Sequence, residues 1–233
     1  MATVYAGTSG WAYPSWKPAF YPAKLASKKF LEFYATRLNS VEVNYSFRRF
    51  VTEKLLAGWI AATPAHFQFT MKANQAITHV KRLREAAEFT RSFMNSLQPL
   101  AEAGKLGCVL FQLPPFLKSD SALLKEFLAV LPRQVRCAFE FRHASWFTEE
   151  IYALLREANA ALCLAESEKL TVPEVETADF VYFRLRKPEY SPAERKALKE
   201  KVTAAKKDVY VYFKHEDTPE GAGYAEELLA AGH

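Results

Sequence analysis

The residues best suited to chemistry are charged side chains at the ends of short β-type runs. Glu140-Phe141-Arg142-His143 is the sharpest case. Successive side chains of an extended strand point to opposite faces, so Glu140 and Arg142 share a face and Phe139 and Phe141 share the other. A carboxylate beside a guanidinium could act as general acid or base while the cation holds an anion. The same pair could also be an internal salt link supporting a strand end. His143 and Trp146 lie just beyond and are further candidates for ligand contact. In Val41-Glu42-Val43-Asn44, Glu42 and Asn44 could bind polar groups of a substrate, and Glu42 with Glu140 could form an acid/base pair. Hydrogen bonding within the fold is the plainer alternative.

Alternation enlarges the set. Gln68, Thr70 and Lys72 oppose Phe67, Phe69 and Met71. Tyr182, Arg184 and Arg186 oppose Val181, Phe183 and Leu185. Tyr210, Tyr212 and Lys214 oppose Val209, Val211 and Phe213, while Gln112 and Glu166 add two more strands. If the apolar faces pack outward on helices, Lys72, Arg142, Arg184, Arg186 and Lys214 converge on Glu42, Glu140 and Glu166. Buried charge without partners is prohibitive, so the ring implies a mutually paired, partly wet pocket. A purely structural network could close such a pocket, but a ring drawn from so many strands exceeds what closure requires. The surplus of cations suits a ligand bearing phosphate or carboxylate.

Weaker signals surround the ring. Trp11, Tyr13, Trp16, Phe20 and Tyr21 read as a folded aromatic cover or as a lid over a sugar or base, with Trp11 placed to reach a ligand. Thr78-His79 with Lys81, Arg82 and Arg84 could bind phosphate or form a solvated loop face. His143, His215, Glu216 and Asp217 are metal-type donors without a recognised spacing, and no metal is expected. No Gly-rich phosphate loop, nucleophile elbow or dinucleotide fingerprint occurs, so no cofactor is expected.

The elements that must position these residues follow from periodicity. Strands are expected at Val4–Thr8, Ser40–Asn44, Phe67–Lys72, Cys108–Leu113, Cys137–Arg142, Ala161–Glu166, Phe180–Arg186 and Val209–Lys214. Helical patterns lie between most of them: one after Thr52, one after Ser121, one after Thr148, and a capping box at Ser191-Pro192-Ala193-Glu194. Only Ser167–Asp179, interrupted by Pro173, is weak as a helix. Alternating strand and helix imply a parallel sheet, and eight units imply a single TIM-type (β/α)8 barrel over residues 1–233, with an open doubly wound sheet as the rival. The links after the first and third strands are long, Ser9 to about Ala26 and Ala73 to about Ala86. Long strand-to-helix links build barrel sites.

Bulk properties agree. The 233 residues suit one well-cored domain, with half of them hydrophobic and a quarter charged. The net charge of +5 admits anionic partners without marking a nucleic-acid binder. No apolar run approaches the roughly 18–20 residues of a membrane span, so no membrane partner is expected. Cys108, Cys137 and Cys163 sit in apolar runs and read as buried thiols; with an N-terminus unlike a secretory signal they point to the cytoplasm. Nothing in the pattern marks an oligomeric state.

Taken together, several blocks resemble a known family. They are Gly7-Thr8-Ser9-Gly10-Trp11 with Trp16 and Phe20-Tyr21-Pro22; Val41-Glu42-Val43-Asn44 with Ser46-Phe47; Ile77-Thr78-His79 with Arg82-Leu83; Gln112-Leu113-Pro114-Pro115; and Glu140-Phe141-Arg142-His143 with Ser145-Trp146. The chain is similar to the YecE-like family, catalogued as domain of unknown function 72. That resemblance implies a TIM-type barrel and no established reaction. Three positions depart from the family pattern: Arg48 where tyrosine is usual, Arg186-Lys187 in place of histidine-glycine, and Lys214-His215-Glu216-Asp217 in place of paired asparagines before an acidic residue. The expected function is acid/base catalysis by Glu140 and Glu42 on a small anionic or polyhydroxylated metabolite. Nucleic-acid binding or processing, and ligand sensing without turnover, are the alternatives.

Overall fold

The computed structural model describes residues 2–230. All eight expected strands form, each within two residues of its expected bounds: β1 Val4–Thr8, β2 Ser40–Val43, β3 Gln68–Lys72, β4 Leu106–Gln112, β5 Cys137–Glu140, β6 Ala161–Ala165, β7 Phe180–Leu185 and β8 Asp208–Phe213. They pair in parallel in the order β1-β8-β7-β6-β5-β4-β3-β2. The helices are α1 Phe30–Tyr34, α2 Tyr45–Arg48, α3 Glu53–Ala61, α4 Ala87–Ser96, α5 Gln98–Glu102, α6 Ser121–Ala129, α7 Glu149–Glu157, α8 Pro192–Thr203 and α9 Glu220–Leu229. No helix forms between β6 and β7, where Pro173 removes a donor.

Local chemistry explains most of the helix starts. Thr52 Oγ1 accepts from the Leu55 N–H and Thr148 Oγ1 from the Ile151 N–H. Ser191 and Glu194 complete the capping box that starts α8. One cap differs from expectation: Asp120, not Ser121, accepts from the Leu123 N–H, because the carboxylate stands one residue earlier in extended backbone. The apolar run from Phe89 to Leu100 splits into α4 and α5 at Leu97, where Pro99 enters the first turn of the second helix.

The barrel closes at a seam that backbone pairing only begins. Between β1 and β2 a single bridge joins Ser9 to Glu42. Side chains complete the join. Asn39 mimics a peptide, accepting from the Ala6 N–H at 2.9 Å and donating to the Val4 carbonyl at 2.8 Å. The Tyr34 hydroxyl accepts from the Thr8 N–H and donates to the Ser40 carbonyl. The strands approach so closely that a Cβ on Gly7 would lie 1.9 Å from the Ser40 oxygen.

Inside, the lower barrel is packed with rings. Tyr5, Phe180, Tyr182, Tyr210 and Tyr212 fill the space left by Cys108, Ala138, Ala161, Cys163 and Ala165. This large-against-small complementarity excludes a pore. All three cysteines are buried free thiols, and burial pushes the Cys137 thiol up to about 12. The aromatic residues after β1 form a packed cover: Trp16, Phe20 and Tyr21 are buried, and Tyr21 stacks on Phe30 at 4.1 Å.

The seam yields a contrast of two glycines. Gly7→Ala is expected to leave the protein insoluble or to lower its melting temperature by more than 10 °C, because the new methyl meets backbone. Gly58→Ala, with nothing within 4 Å in the middle of α3, should stabilise by about 0.5–1 kcal/mol. Thermal and urea denaturation of the two variants measures both.

Candidate functional site

Above the tyrosine layer the side chains change from apolar to charged. Arg184, on β7, lies at the centre and is 2% exposed. Its Nη2 and Nε donate to Glu42 of β2 at 2.7 and 2.9 Å, and its Nη1 donates to Glu140 of β5 at 2.8 Å. One guanidinium therefore ties together opposite arcs of the barrel. Glu42 also accepts from Ser9 Oγ and from the Tyr182 hydroxyl, both at 2.7 Å. Glu140 accepts from Gln112 Nε2 at 2.8 Å, Arg142 Nε at 2.9 Å and Arg186 Nη2 at 2.8 Å.

This saturation decides the state of the acids. Burial alone would raise the Glu42 carboxyl, but the charge and hydrogen bonds of Arg184, with those of Ser9 and Tyr182, hold it below the ordinary value. Burial also opposes the Glu140 charge, and Arg184, Arg186 and Arg142 together outweigh it and hold the carboxyl far below the usual range. Both environments thus favour the anionic form, and the carboxylate oxygens already have donors. That environment suits holding arginines in place more than moving protons.

Lys72 is placed differently. It shares a face of β3 with Thr70, whose Oγ1 meets the Tyr212 hydroxyl at 2.8 Å in the barrel centre. Its Nζ stands 4.3 Å over the Phe47 ring. Among the described residues no carboxylate lies within 4 Å of it and no hydrogen bond engages it. Burial, reinforced by the nearby charge of Arg184, pushes its ammonium down to about 8. His79 sits edge-on to the same Phe47 ring at 5.0 Å, with Nδ1 engaged by Thr78 Oγ1 at 2.9 Å. Burial and the Lys72 charge lower its imidazole as well.

The segment carrying His79 is unusual. Ala76–Val80 is a single π-helical turn, and Arg82, Leu83 and Glu85 follow with φ of 52°, 70° and 48°. Non-glycine residues avoid that region unless their surroundings enforce it. Beneath this turn Asn74 Nδ2 donates to the Ser46 carbonyl and Ser46 Oγ to the Lys72 carbonyl, so the ends of β2 and β3 are laced together.

The structure thus brings Glu42, Lys72, Gln112, Glu140, Arg142, Arg184 and Arg186 to one place, with His79 at its side. Asn44 stands at the end of β2 with a buried Oδ1 that has no partner among the described residues. His143 lines the edge of a cavity of about 410 Å³ shared with Glu140, Arg142, Glu166 and Arg186, but its Nδ1 is occupied by the Ser145 hydroxyl.

Four expected site residues take no part in the central ion-pair cluster. Lys214, one residue past the end of β8 at Phe213, is exposed and reaches toward Glu216 at 3.8 Å. Glu166 stays apart from the central cations; it accepts from the Arg186 and Lys187 N–H groups and from the Tyr190 hydroxyl, fixing the turn after β7. Trp146 is wholly buried, stacked on Phe141 at 4.6 Å, with its Nε1 donating to the Leu117 carbonyl. Trp11 packs edge-on against Trp59 on α3. Conversely, Ser9, Tyr182 and Phe47 belong to the site although their types did not announce it. Only the position of Tyr182, on the same face as Arg184, hinted at its role. No group of three or more His, Cys, Asp or Glu side chains among the described residues is arranged to hold a metal ion.

Fold and site together define a TIM-type barrel with a buried, arginine-bridged charge cluster at the carboxyl ends of its strands. Comparison with known proteins then gives the family: residues 5–233 match the family described as Protein of unknown function DUF72, and the chain belongs to it. It is 32% identical over 155 residues to the UPF0759 protein YunF of Bacillus subtilis (strain 168). That match takes in 64% of this chain and only 54% of the relative, so it spans about half the relative's length. The structure resembles a DUF72 family protein of Thermotoga maritima, with a TM-score of 0.85 and 28% identity over 98% of each chain. An AP endonuclease of family 2 from Brucella melitensis, at 11% identity and a TM-score of 0.54, covering 99% of this chain and 97% of its own, shares the barrel fold. No helix among the described residues is long and apolar enough to cross a membrane.

Two stability experiments follow from the cluster. Arg184→Met strands two buried carboxylates and should cost about 3–5 kcal/mol in urea unfolding. Because Glu42 and Glu140 have lowered values in the folded state, their contribution is full above the ordinary 4.5 and fades as the pH falls toward their folded values. Unfolding free energy should therefore drop steeply below about pH 4.5, and Glu140→Gln should flatten that drop.

Proposed function

We propose that the barrel binds a small anionic metabolite, bearing phosphate or carboxylate, at the mouth formed by Lys72, Arg142 and Arg186, and acts on it there. The observation that carries this is the imbalance of charge. Glu42 and Glu140 answer Arg184, Arg142 and Arg186, while Lys72 has no carboxylate partner. Arg186 Nε is also buried without a partner among the described residues. An unpaired, partly buried ammonium costs stability, and a sequence selected for stability alone would place an apolar residue there. The π-helical turn and left-handed residues beside His79 add strain at the same place. The glutamates serve to orient the arginines, and proton transfer falls to Lys72 and His79 in place of Glu140 and Glu42. The cytoplasmic setting belongs to this proposal.

A second reading, nucleic-acid binding, draws on the exposed rim. Phe116 and Tyr45 are exposed there, and Arg82 lies 5.0 Å over the Phe116 ring. Oligonucleotide affinity that falls steeply with salt would favour it over a small metabolite.

Calorimetric titration of the intact chain with phosphate and with simple carboxylates tests the leading reading. Binding should be seen at low ionic strength and should weaken about 10–100-fold in Arg142→Ala, the loss of one charge-assisted hydrogen bond. Equal affinity in the variant, or no binding by the parent, would count against it. Affinity should also fall as the pH rises through about 8, where Lys72 loses its charge. In the absence of ligand, Lys72→Met should stabilise the fold at pH 7 by about 1–3 kcal/mol, and the advantage should vanish by about pH 10.5. The sign follows from the lowered folded value: between 8 and 10.5 the unfolded chain binds more protons, so parent stability rises with pH.

A further inference from the structure

We infer that Lys72 is a carbonyl-reactive amine, and that the metabolite is an aldehyde or ketone carrying an anionic group, bound through an imine to Nζ. This deepens the anion-binding reading and rests on it for the placement of the substrate's charged end.

Four features of the site lead there. First, a lysine in a structural role finds a carboxylate or a set of carbonyls, as Lys105 does elsewhere in this chain by donating to the Ile60 and Thr63 carbonyls and to Thr63 Oγ1. Lys72 makes no such bond to any described residue, so its lone pair, once the proton is lost, is free to attack. Second, its site is partly buried and lies in the field of Arg184; burial first, and that charge next, favour the neutral, nucleophilic amine and outweigh the opposing charges of Glu42 and Glu140, which are already paired with arginines. Third, the Nζ lies over the face of Phe47, which fixes the amine without consuming a donor or an acceptor. Fourth, His79 flanks the same ring. Its Nδ1 is engaged by Thr78 Oγ1, which leaves Nε2 without a partner among the described residues and available to give or take a proton.

The chemistry balances without an outside oxidant or reductant. Neutral Nζ forms a bond to the carbonyl carbon, and the nitrogen, made cationic by that bond, gives up one of its protons while the carbonyl oxygen takes one up, leaving a neutral carbinolamine. The nitrogen lone pair then expels that oxygen as water as a second proton arrives, leaving a protonated imine. His79 Nε2 is placed to relay these protons. The substrate's carboxylate or phosphate would meet Arg142 and Arg186, whose outward atoms are not all used by Glu140. The cationic imine that results replaces the original ammonium charge, so the cluster's electrostatics are preserved through the step.

The test is reductive trapping on the intact chain. The protein is incubated with pyruvate, with glyceraldehyde 3-phosphate or with uncharged propionaldehyde, each with sodium cyanoborohydride, and alkylation is mapped by peptide mass spectrometry. The expected result is labelling of Lys72 at pH 7 at least tenfold faster than the mean of the exposed lysines, rising with pH to a plateau above about 8. Phe47→Leu should slow labelling at Lys72 alone. His79→Asn should do so while leaving the labelling of other lysines unchanged. Circular dichroism confirms that each variant is folded. Labelling of Lys72 no faster than the exposed lysines, with all three probes, would overturn the inference. The two readings fail separately. If pyruvate binds by calorimetry without trapping at Lys72, anion binding stands and the imine does not. If propionaldehyde labels Lys72 rapidly while the charged probes give no advantage over it, the reactive amine stands and the anion-binding mouth does not.

Discussion

Arg184 is the constraint on which the rest of the barrel mouth depends. A guanidinium buried to 2% exposure is tolerable only if every face of it meets an acceptor. Glu42 from β2 and Glu140 from β5 supply that, and they in turn need donors for their remaining lone pairs. Ser9, Tyr182, Gln112, Arg142 and Arg186 are those donors. The demand for complete pairing thus spreads from one side chain to the ends of β1, β2, β4, β5 and β7. It fixes their relative height and direction more tightly than apolar packing alone would. The seam between β1 and β2 benefits most, because Glu42 is both the backbone partner of Ser9 there and the carboxylate that Arg184 grips.

The pairing of every carboxylate and guanidinium charge within the cluster makes the exception at its border meaningful. Lys72 shares the barrel face of these groups and lies in the field of the same arginines, yet it has no acid of its own. Its position is held by Phe47 below and by the lacing of Ser46 and Asn74 behind. Arrangements that spend stability in this way belong to sites more often than to scaffolds. The proposed function divides the labour accordingly: the glutamates and Arg184 would form a rigid floor, and Lys72, Arg142, Arg186 and His79 would face the ligand.

Much of this was legible in the sequence, because strand alternation is a rigid rule. It put Glu42, Lys72, Glu140, Arg184 and Arg186 on inward faces, and eight strand patterns with long links after the first and third specified the barrel. Past the ladder ends the rule no longer decides. Arg186, one residue beyond Leu185, still reaches Glu140, whereas Lys214, one beyond Phe213, turns to solvent and Glu166, one beyond Ala165, is taken by the turn after β7. Alternation also cannot tell a saturated carboxylate from a reactive one. That distinction depends on donors from distant strands: the acid/base reading of Glu140 came from its type and position, and the structure adds that its carboxyl group has four donors. Trp146 is a similar case: a tryptophan near a charged strand end looks like a ligand platform until its stack on Phe141 and its bond to Leu117 account for it.

A crystal structure of the protein soaked in selenate tests the central claim most directly, since the anomalous signal of selenium locates the anion without ambiguity. The account predicts a peak at the barrel mouth within hydrogen-bond reach of Lys72 Nζ and the Arg142 or Arg186 guanidinium. Peaks confined to exposed surface lysines, with Lys72 turned to pair with a carboxylate, would contradict it.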